Sequence, residues 1–166
     1  MIIQNESKDF SLRKFTPEDL EEVIHINRSC LPENYIPSFF LSIYKGYPES
    51  FIVAERDGRV VGYIMCRIEK GFSSKFKIVK KGHVISIAVL PEHRRMGIGY
   101  ALMKEAMKAM HKIYGAEECY LEVRVSNEAA INLYKKLGFE ISGKIKGYYL
   151  DGEDAYIMSR KLPIEE

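Results

Sequence analysis

The sequence predicts an α/β protein, one mixed sheet carrying helices on its faces. Three observations point there. Segments of strand length and helical patterns follow one another in the order β-α-α-β-β-β-α-β-α-β-β, as layered sheets do. The unit from Val84 to Val125 reads strand, long helix, strand, which predicts a right-handed crossover between parallel strands. The turn inside that unit carries Arg94, Arg95, Gly97 and Gly99, ahead of a long helix pattern.

Each element has a local reason. Residues 1–9 are polar and are expected to be a flexible N-terminus, leaving 10–162 as a single domain. Phe10 to Phe15 alternates as an edge strand. Thr16-Pro17-Glu18-Asp19 starts a helix with a cap, a proline and early acids, and Leu31-Pro32 breaks it. A shorter helix carries Phe39, Phe40, Ile43 and Tyr44 to Gly46. Ser50 to Glu55 and Val60 to Ile68 read as a hairpin about Asp57-Gly58. Lys70 to Gly82, with five lysines, reads as a solvated loop. The alternative is a contact with something acidic, such as the ribosome or a peptide. After the crossover, Ser126-Asn127 caps a helix that Gly138 closes. Phe139 to Ile145 and Ala155 to Lys161 end the chain as strands.

Bulk composition excludes several classes. With 46% hydrophobic and 29% charged residues among 166, the chain can bury a core of its own. A formal charge of +2 makes no strong electrostatic case for nucleic acid. Cys30, Cys66 and Cys119 are scattered singly, as reduced cytosolic thiols are. No signal peptide is expected at the start of the chain, and no apolar run approaches the roughly 18–20 residues of a membrane span. The location expected is the cytoplasm.

The arginine-glycine turn suits a pyrophosphate. Gly97 and Gly99 allow close backbone approach, and the following helix start is electropositive. It is not a Walker A loop, because no Gly-Lys-Ser/Thr follows, and it lacks the third glycine of the dinucleotide fingerprint.

Two longer stretches, HVISIAVLPEHRRMGIGYALM and YLEVRVSNEAAINLYKKLGF, resemble the GNAT superfamily of acetyl-CoA-dependent acetyltransferases. LPENY, KGHV and GYYLDGEDAYIM resemble more narrowly the catalytic subunits of NatA-type protein N-terminal acetyltransferases, especially archaeal ones. The resemblance runs from about residue 10 to 162. It implies a GNAT fold: a central, mostly antiparallel sheet with one parallel strand pair splayed at the acetyl-CoA site and helices on both faces. It implies that Ile87, Ala88 and Val89 bind the pantetheine arm. Arg94, Arg95, Met96, Gly97, Ile98, Gly99 and Tyr100 would bind the pyrophosphate, and Asn127 and Tyr134 would line the thioester end. Glu33, Tyr35, Tyr148 and Tyr149 would hold the first residues of a peptide. The cosubstrate implied is acetyl-CoA, and no metal is required. The partners implied are protein or nascent-chain N-termini, with neither nucleic-acid specificity nor a membrane, and with ribosome association open.

Chemistry adds roles. An amine attacks a thioester only when neutral, and a peptide α-amine has a pKa of about 8 against about 10.4 for lysine. A carboxylate or imidazole acting through water is adequate for the first. Glu122 and His83 can face one cleft from adjacent strands, and Glu33 is a third candidate base. Glu122 has a plainer reading as a charge satisfied beside Arg124, and His83 as an ordinary strand-end histidine. Tyr134, expected on the first turns of the last helix, can protonate the departing thiolate or simply fill the core. A bulge after Ile87 would aim an N–H at the thioester oxygen. The leading expectation is direct attack in a ternary complex. Its alternatives are a GNAT enzyme acting on a ribosomal-protein alanine, a lysine side chain or a polyamine, and a non-catalytic acetyl-CoA-binding subunit.

Overall fold

The computed structural model describes residues 2–3, 9–73 and 75–164. The strands are β1 (Ile2–Ile3), β2 (Ser11–Lys14), β3 (Ile52–Arg56), β4 (Arg59–Phe72), β5 (Ile78–Val89), β6 (Glu118–Arg124), β7 (Glu140–Ile145) and β8 (Ala155–Lys161). The helices are α1 (Leu20–Cys30), α2 (Pro37–Gly46), α3 (Ile98–Lys112) and α4 (Glu128–Lys136). The strands form one sheet in the order β1-β2-β3-β4-β5-β6-β8-β7. Each neighbouring pair is antiparallel except β5 and β6, which α3 connects and which run parallel. The expected mostly antiparallel sheet with one parallel pair is therefore what the chain builds.

Alternation along the strands makes two cores. Ile52, Ala54, Ile64 and Cys66 pack with α3 and α4 on one face. Val53, Tyr63 and Met65 pack with α1 and α2 on the other. Leu102, Met103, Ala106 and Met110 of α3 are fully buried, so Leu102→Ala should cost about 2–5 kcal/mol. Gly82 on β5 admits that helix closely, since a Cβ there would lie 2.5 Å from the Met110 sulfur.

Three expectations need correction. Ile2–Ile3 are not part of a loose tail but pair with Arg13 and Leu12 of β2, while the rest of residues 1–8 lies outside the described residues. The lysine-rich segment is not a loop. β4 continues to Phe72 and β5 begins at Ile78, pairing Lys70 with Lys80 and Phe72 with Ile78. The hairpin runs past the helices, so its tip has no core face and shows no hydrophobic alternation; Phe72 and Ile78 are 64% and 71% exposed. The bulge in β5 lies not after Ile87 but at Ile85. Met65 faces Ser86 and Cys66 faces Val84, which leaves Ile85 as the extra residue. The Asp57-Gly58 hairpin turn forms as expected, both residues with positive φ (53° and 75°).

Candidate active site

The site begins where the parallel pair parts. β5 and β6 pair only through Lys81–Glu118, Gly82–Cys119 and His83–Tyr120. Beyond His83, β5 keeps its bonds to β4, and beyond Tyr120, β6 keeps its bonds to β8. The two facing edges therefore lose each other and leave backbone groups in need of a partner. Ile87, Ala88 and Val89 lie along this opened edge. The Val89 carbonyl is already engaged, accepting from Arg94 Nε at 2.8 Å.

That arginine bond ties the edge to the turn before α3. Pro91–His93 make one 3-10 turn, then Arg95 (φ 62°) and Gly97 (φ 85°) take left-handed conformations. The reversal points the chain into α3, whose first bond runs from the Ala101 N–H to the Gly97 carbonyl (3.0 Å). The N–H groups ahead of Ala101 sit at the electropositive end of a 15-residue helix. Ile98 anchors this end in the core at 2% exposure, while Arg94, Arg95 and Tyr100 stay exposed. Open amides, a helix start and two exposed guanidinium groups fit a pyrophosphate.

At the point of parting lies a line of ionisable side chains from three strands. His83 Nδ1 is 2.9 Å from Glu69 Oε2, and His83 Nε2 is 2.8 Å from Glu122 Oε1. Glu69 Oε2 also accepts from Arg67 Nε at 2.6 Å, and its Oε1 accepts from the Tyr120 hydroxyl. The Tyr120 ring stacks on the imidazole, centroids 4.2 Å apart. Tyr148 Oη donates to Glu122 Oε1 at 3.4 Å. Burial pulls His83 towards neutrality, but hydrogen bonds and charges of Glu122 and Glu69 outweigh it, so its pKa is raised. Burial opposes the charge of Glu69, yet Tyr120, Arg67 and His83 hold its pKa down at about 2. Glu122 is thus paired with His83, not with Arg124.

Arg124, two residues along β6, is instead the hub of the far end. Its Nη2 donates to Glu33 Oε1 (2.7 Å), and its Nη1 to Asp151 Oδ2 (2.8 Å) and Glu153 Oε1 (2.9 Å). Its guanidinium lies 4.1 Å from the centroid of Tyr149, whose ring meets that of Tyr148 edge-on. The loop 31–35 and the turn 147–154 are thereby clamped together over the end of β6. Asn27, fully buried on α1, fixes the loop from behind. It donates to the Glu33 carbonyl and to Tyr63 Oη, both at 3.1 Å, and accepts from the Tyr35 N–H at 3.4 Å. Tyr35 stacks on Phe39 and directs its hydroxyl at the Ile85 carbonyl of the bulge (3.5 Å).

Asn127 caps α4, its Oδ1 accepting from the Ala130 N–H at 3.2 Å. Tyr134 lies in the second turn of α4, near its end, because that helix is only nine residues long and stops at Lys136. It is 7% exposed among core residues, and burial pushes its pKa up to about 12. Cys66 and Cys119 are fully buried, with thiol pKa values pushed up by burial. Among the described residues no group of three or more His, Cys, Asp or Glu side chains is arranged to hold a metal. Two shallow depressions border Lys70 and Lys80 near the hairpin and the end of α3, one of them lined also by Glu69 and Tyr114.

The structure brings His83 and Glu122 together, and beside them Glu33, Tyr35, Tyr148 and Tyr149, with Tyr148 joining the two sets through its bond to Glu122. Sequence reasoning missed Glu69, Tyr120, Arg124 and Asn27. Tyr120 had one signal available, the period-2 alternation that puts it on the Glu122 face of β6; Glu69 had none, because it lies past the end of the strand that the pattern shows.

Comparison with known proteins agrees with this geometry. Residues 20–139 match the acetyltransferase (GNAT) family. The chain is 56% identical to an N-alpha-acetyltransferase of Sulfurisphaera tokodaii, over 93% of this chain and 95% of that protein. Among solved structures, Ard1 from Thermoplasma volcanium superposes with a TM-score of 0.82 at 33% identity, covering 93% and 99% of the two chains. Arabidopsis thaliana Naa50 in complex with the bisubstrate analogue CoA-Ac-MVNAL gives a TM-score of 0.79 at 29% identity, covering 93% and 99%.

Proposed function

The chain belongs to the GNAT acetyltransferase family, and from that premise we propose that it transfers the acetyl group of acetyl-CoA to the free α-amino group of protein N-termini. One observation carries the reading: β5 parts from β6 immediately after His83 and Tyr120. The electropositive start of α3 and the Glu122 carboxylate then serve one opening from two sides.

In this reading the amides ahead of Ala101, with Arg94 and Arg95, bind the pyrophosphate. Ile87 and Ala88 receive the pantetheine arm, and Asn127 and Tyr134 border the thioester. Bound acetyl-CoA supplies an acyl group on a thiol of pKa about 8.5, which leaves without much help. Loop 31–35, Tyr148 and Tyr149 hold the first residues of the acceptor polypeptide. Glu122 and His83 take up the proton that the α-amine must lose. Direct attack is supported by the thiols: burial keeps Cys66 and Cys119 protonated and poor nucleophiles, and half-buried Cys30 donates to the Val89 carbonyl with no base bonded to it among the described residues. Residues 10–162 act as a single domain, and nascent chains are natural acceptors. Three unpaired cysteines suit the cytoplasm, and no described helix is long and apolar enough to cross a membrane.

The test is a peptide panel with free and blocked N-termini, incubated with labelled acetyl-CoA. Label is expected on free termini alone. Label on the lysines of blocked peptides would overturn the acceptor class. Coenzyme binding without transfer to any peptide would point to a sensor.

A further inference from the structure

Glu69 belongs to none of the motifs that define the site, yet it makes three hydrogen bonds at its centre. It lies on β4, and Lys81, its partner across the β4–β5 ladder, is two residues from His83. One oxygen faces His83 Nδ1 (2.9 Å) and Arg67 Nε (2.6 Å), the other the Tyr120 hydroxyl. The imidazole is thus held between two carboxylates, with Glu122 Oε1 at 2.8 Å from its other nitrogen. We propose that Glu69 is a positioning residue for the proton transfer: by holding the Nδ1–H of His83 it aims Nε2 at Glu122, and makes the His83–Glu122 pair the base for the amine.

The tautomer follows from the partners. Both oxygens of Glu69 are taken by other donors, Oε2 by Arg67 and Oε1 by Tyr120, so it stays ionised and can only accept from Nδ1, whereas Glu122, with Oε2 open, can itself hold a proton; Nδ1 therefore carries a proton in both charge states of the ring. The proton that comes and goes is the one between Nε2 and Glu122 Oε1. In the transfer, the N–H bond of the ammonium breaks and the proton enters that shared site, directly or through one water. It returns to solvent after the product leaves, and no other reactant is consumed. Glu122 Oε2 takes no hydrogen bond among the described residues, so the pair keeps an acceptor open to the incoming proton. Glu33, the other candidate base, has its Oε1 held by Arg124.

The charged surroundings of the imidazole are accounted for. β4 supplies Glu69 and Arg67, and β6 supplies Tyr120 and Glu122. Lys81 lies 5.9 Å from the Tyr120 ring, and Tyr148 reaches Glu122 from the β7–β8 turn. Of these only Glu69 touches Nδ1. Its charge favours the protonated ring and so raises the imidazole towards the ionisation range of an α-amine, where a base works best.

The inference rests on the N-terminal acetyltransfer reading for its kinetics but not for its spectroscopy. In 15N-histidine-labelled wild-type protein, with His83 assigned by loss of its signal in His83→Gln, Nδ1 should stay protonated through the whole titration. A neutral ring protonated on Nε2 would overturn the proposal, whatever the enzyme acetylates. In Glu69→Gln the His83 midpoint should fall, kcat for a free-terminus peptide should drop on the order of tenfold to a hundredfold, and the ascending limb of the kcat profile should move to lower pH. The KM for acetyl-CoA should not change. Lower kcat with an unmoved midpoint and limb would reduce Glu69 to a packing role and overturn the proposal. If wild type acetylates no peptide, the acceptor reading fails, and the ring nitrogen alone decides the role of Glu69.

Discussion

The two ends of the opening between β5 and β6 are made of different materials. The end proposed to take the coenzyme is backbone: the edge of β5 beyond the Ile85 bulge and the left-handed turn at Arg95 and Gly97 before α3. The end proposed for the acceptor is side chains: Glu69, His83 and Glu122 in line, then Arg124 with three carboxylates. A backbone site comes from one contiguous stretch and needs only the right torsions. A side-chain site comes from several strands and needs each partner in place. Damage to each end should therefore appear in a different kinetic constant.

The sharpest break is Glu122→Gln. The amide keeps the shape but cannot take the proton, so kcat should fall about 10²–10⁴-fold. The KM for acetyl-CoA should hold, because no described coenzyme-end residue touches this carboxylate. A rise in that KM comparable to the loss in kcat would mean that the two ends are not separable.

The reverse break is Gly97→Ala. At φ 85° a side chain costs about 1–2 kcal/mol, although open space surrounds the position. If the turn relaxes to avoid that strain, the amides move off the pyrophosphate, and the KM for acetyl-CoA should rise about 5- to 30-fold. At saturating acetyl-CoA, kcat should be close to wild type. Steady-state kinetics with acetyl-CoA varied at fixed peptide measures both.

The same division explains what the sequence discloses. Arg94 to Gly99 is contiguous, so the coenzyme end is legible from the order of residues alone, as are the crossover and the Asp57-Gly58 turn. His83 and Glu122 can be paired because they fall on neighbouring strands of that crossover. Glu69 cannot, since its contact with Tyr120 joins residues 51 apart and depends on a hairpin that reads as loop. That hairpin escapes a pattern reading because lysines and exposed apolar residues replace the usual alternation. Arg124 reads as the partner of Glu122 because neighbours two apart on a strand share a face. What claims it instead is Glu33, 91 residues away.

Within the acceptor end, Arg124→Leu separates clamping from chemistry. It leaves Glu33, Asp151 and Glu153 without their shared cation and frees the loop 31–35 from the 147–154 turn. The KM for peptide should rise several-fold to about tenfold, the equivalent of about 1.4 kcal/mol. The loss in kcat should be far smaller than in Glu122→Gln. Peptide titrations at saturating acetyl-CoA test this, and a loss confined to kcat would make Arg124 part of the chemistry.

The smallest effect is on the pH dependence of stability, and only the side-chain end should show it. His83 has a raised folded pKa, so its ion pairs contribute fully below the unfolded value of about 6.5 and fade as pH rises through the folded one. Glu69 is held at about 2, so the same contact is also lost as pH falls from about 4.5 towards 2. Each unit by which His83 is raised is worth about 1.4 kcal/mol, or about 2–4 °C of Tm in a chain of this size. Calorimetry from about pH 5 to pH 9 should show Tm declining across that window in wild type. The decline should be shallower in Glu69→Gln, whereas Gly97→Ala should lower Tm equally at every pH, because no charge enters or leaves that turn. Parallel curves for wild type and Glu69→Gln would mean that Glu69 does not hold the imidazolium in the folded protein.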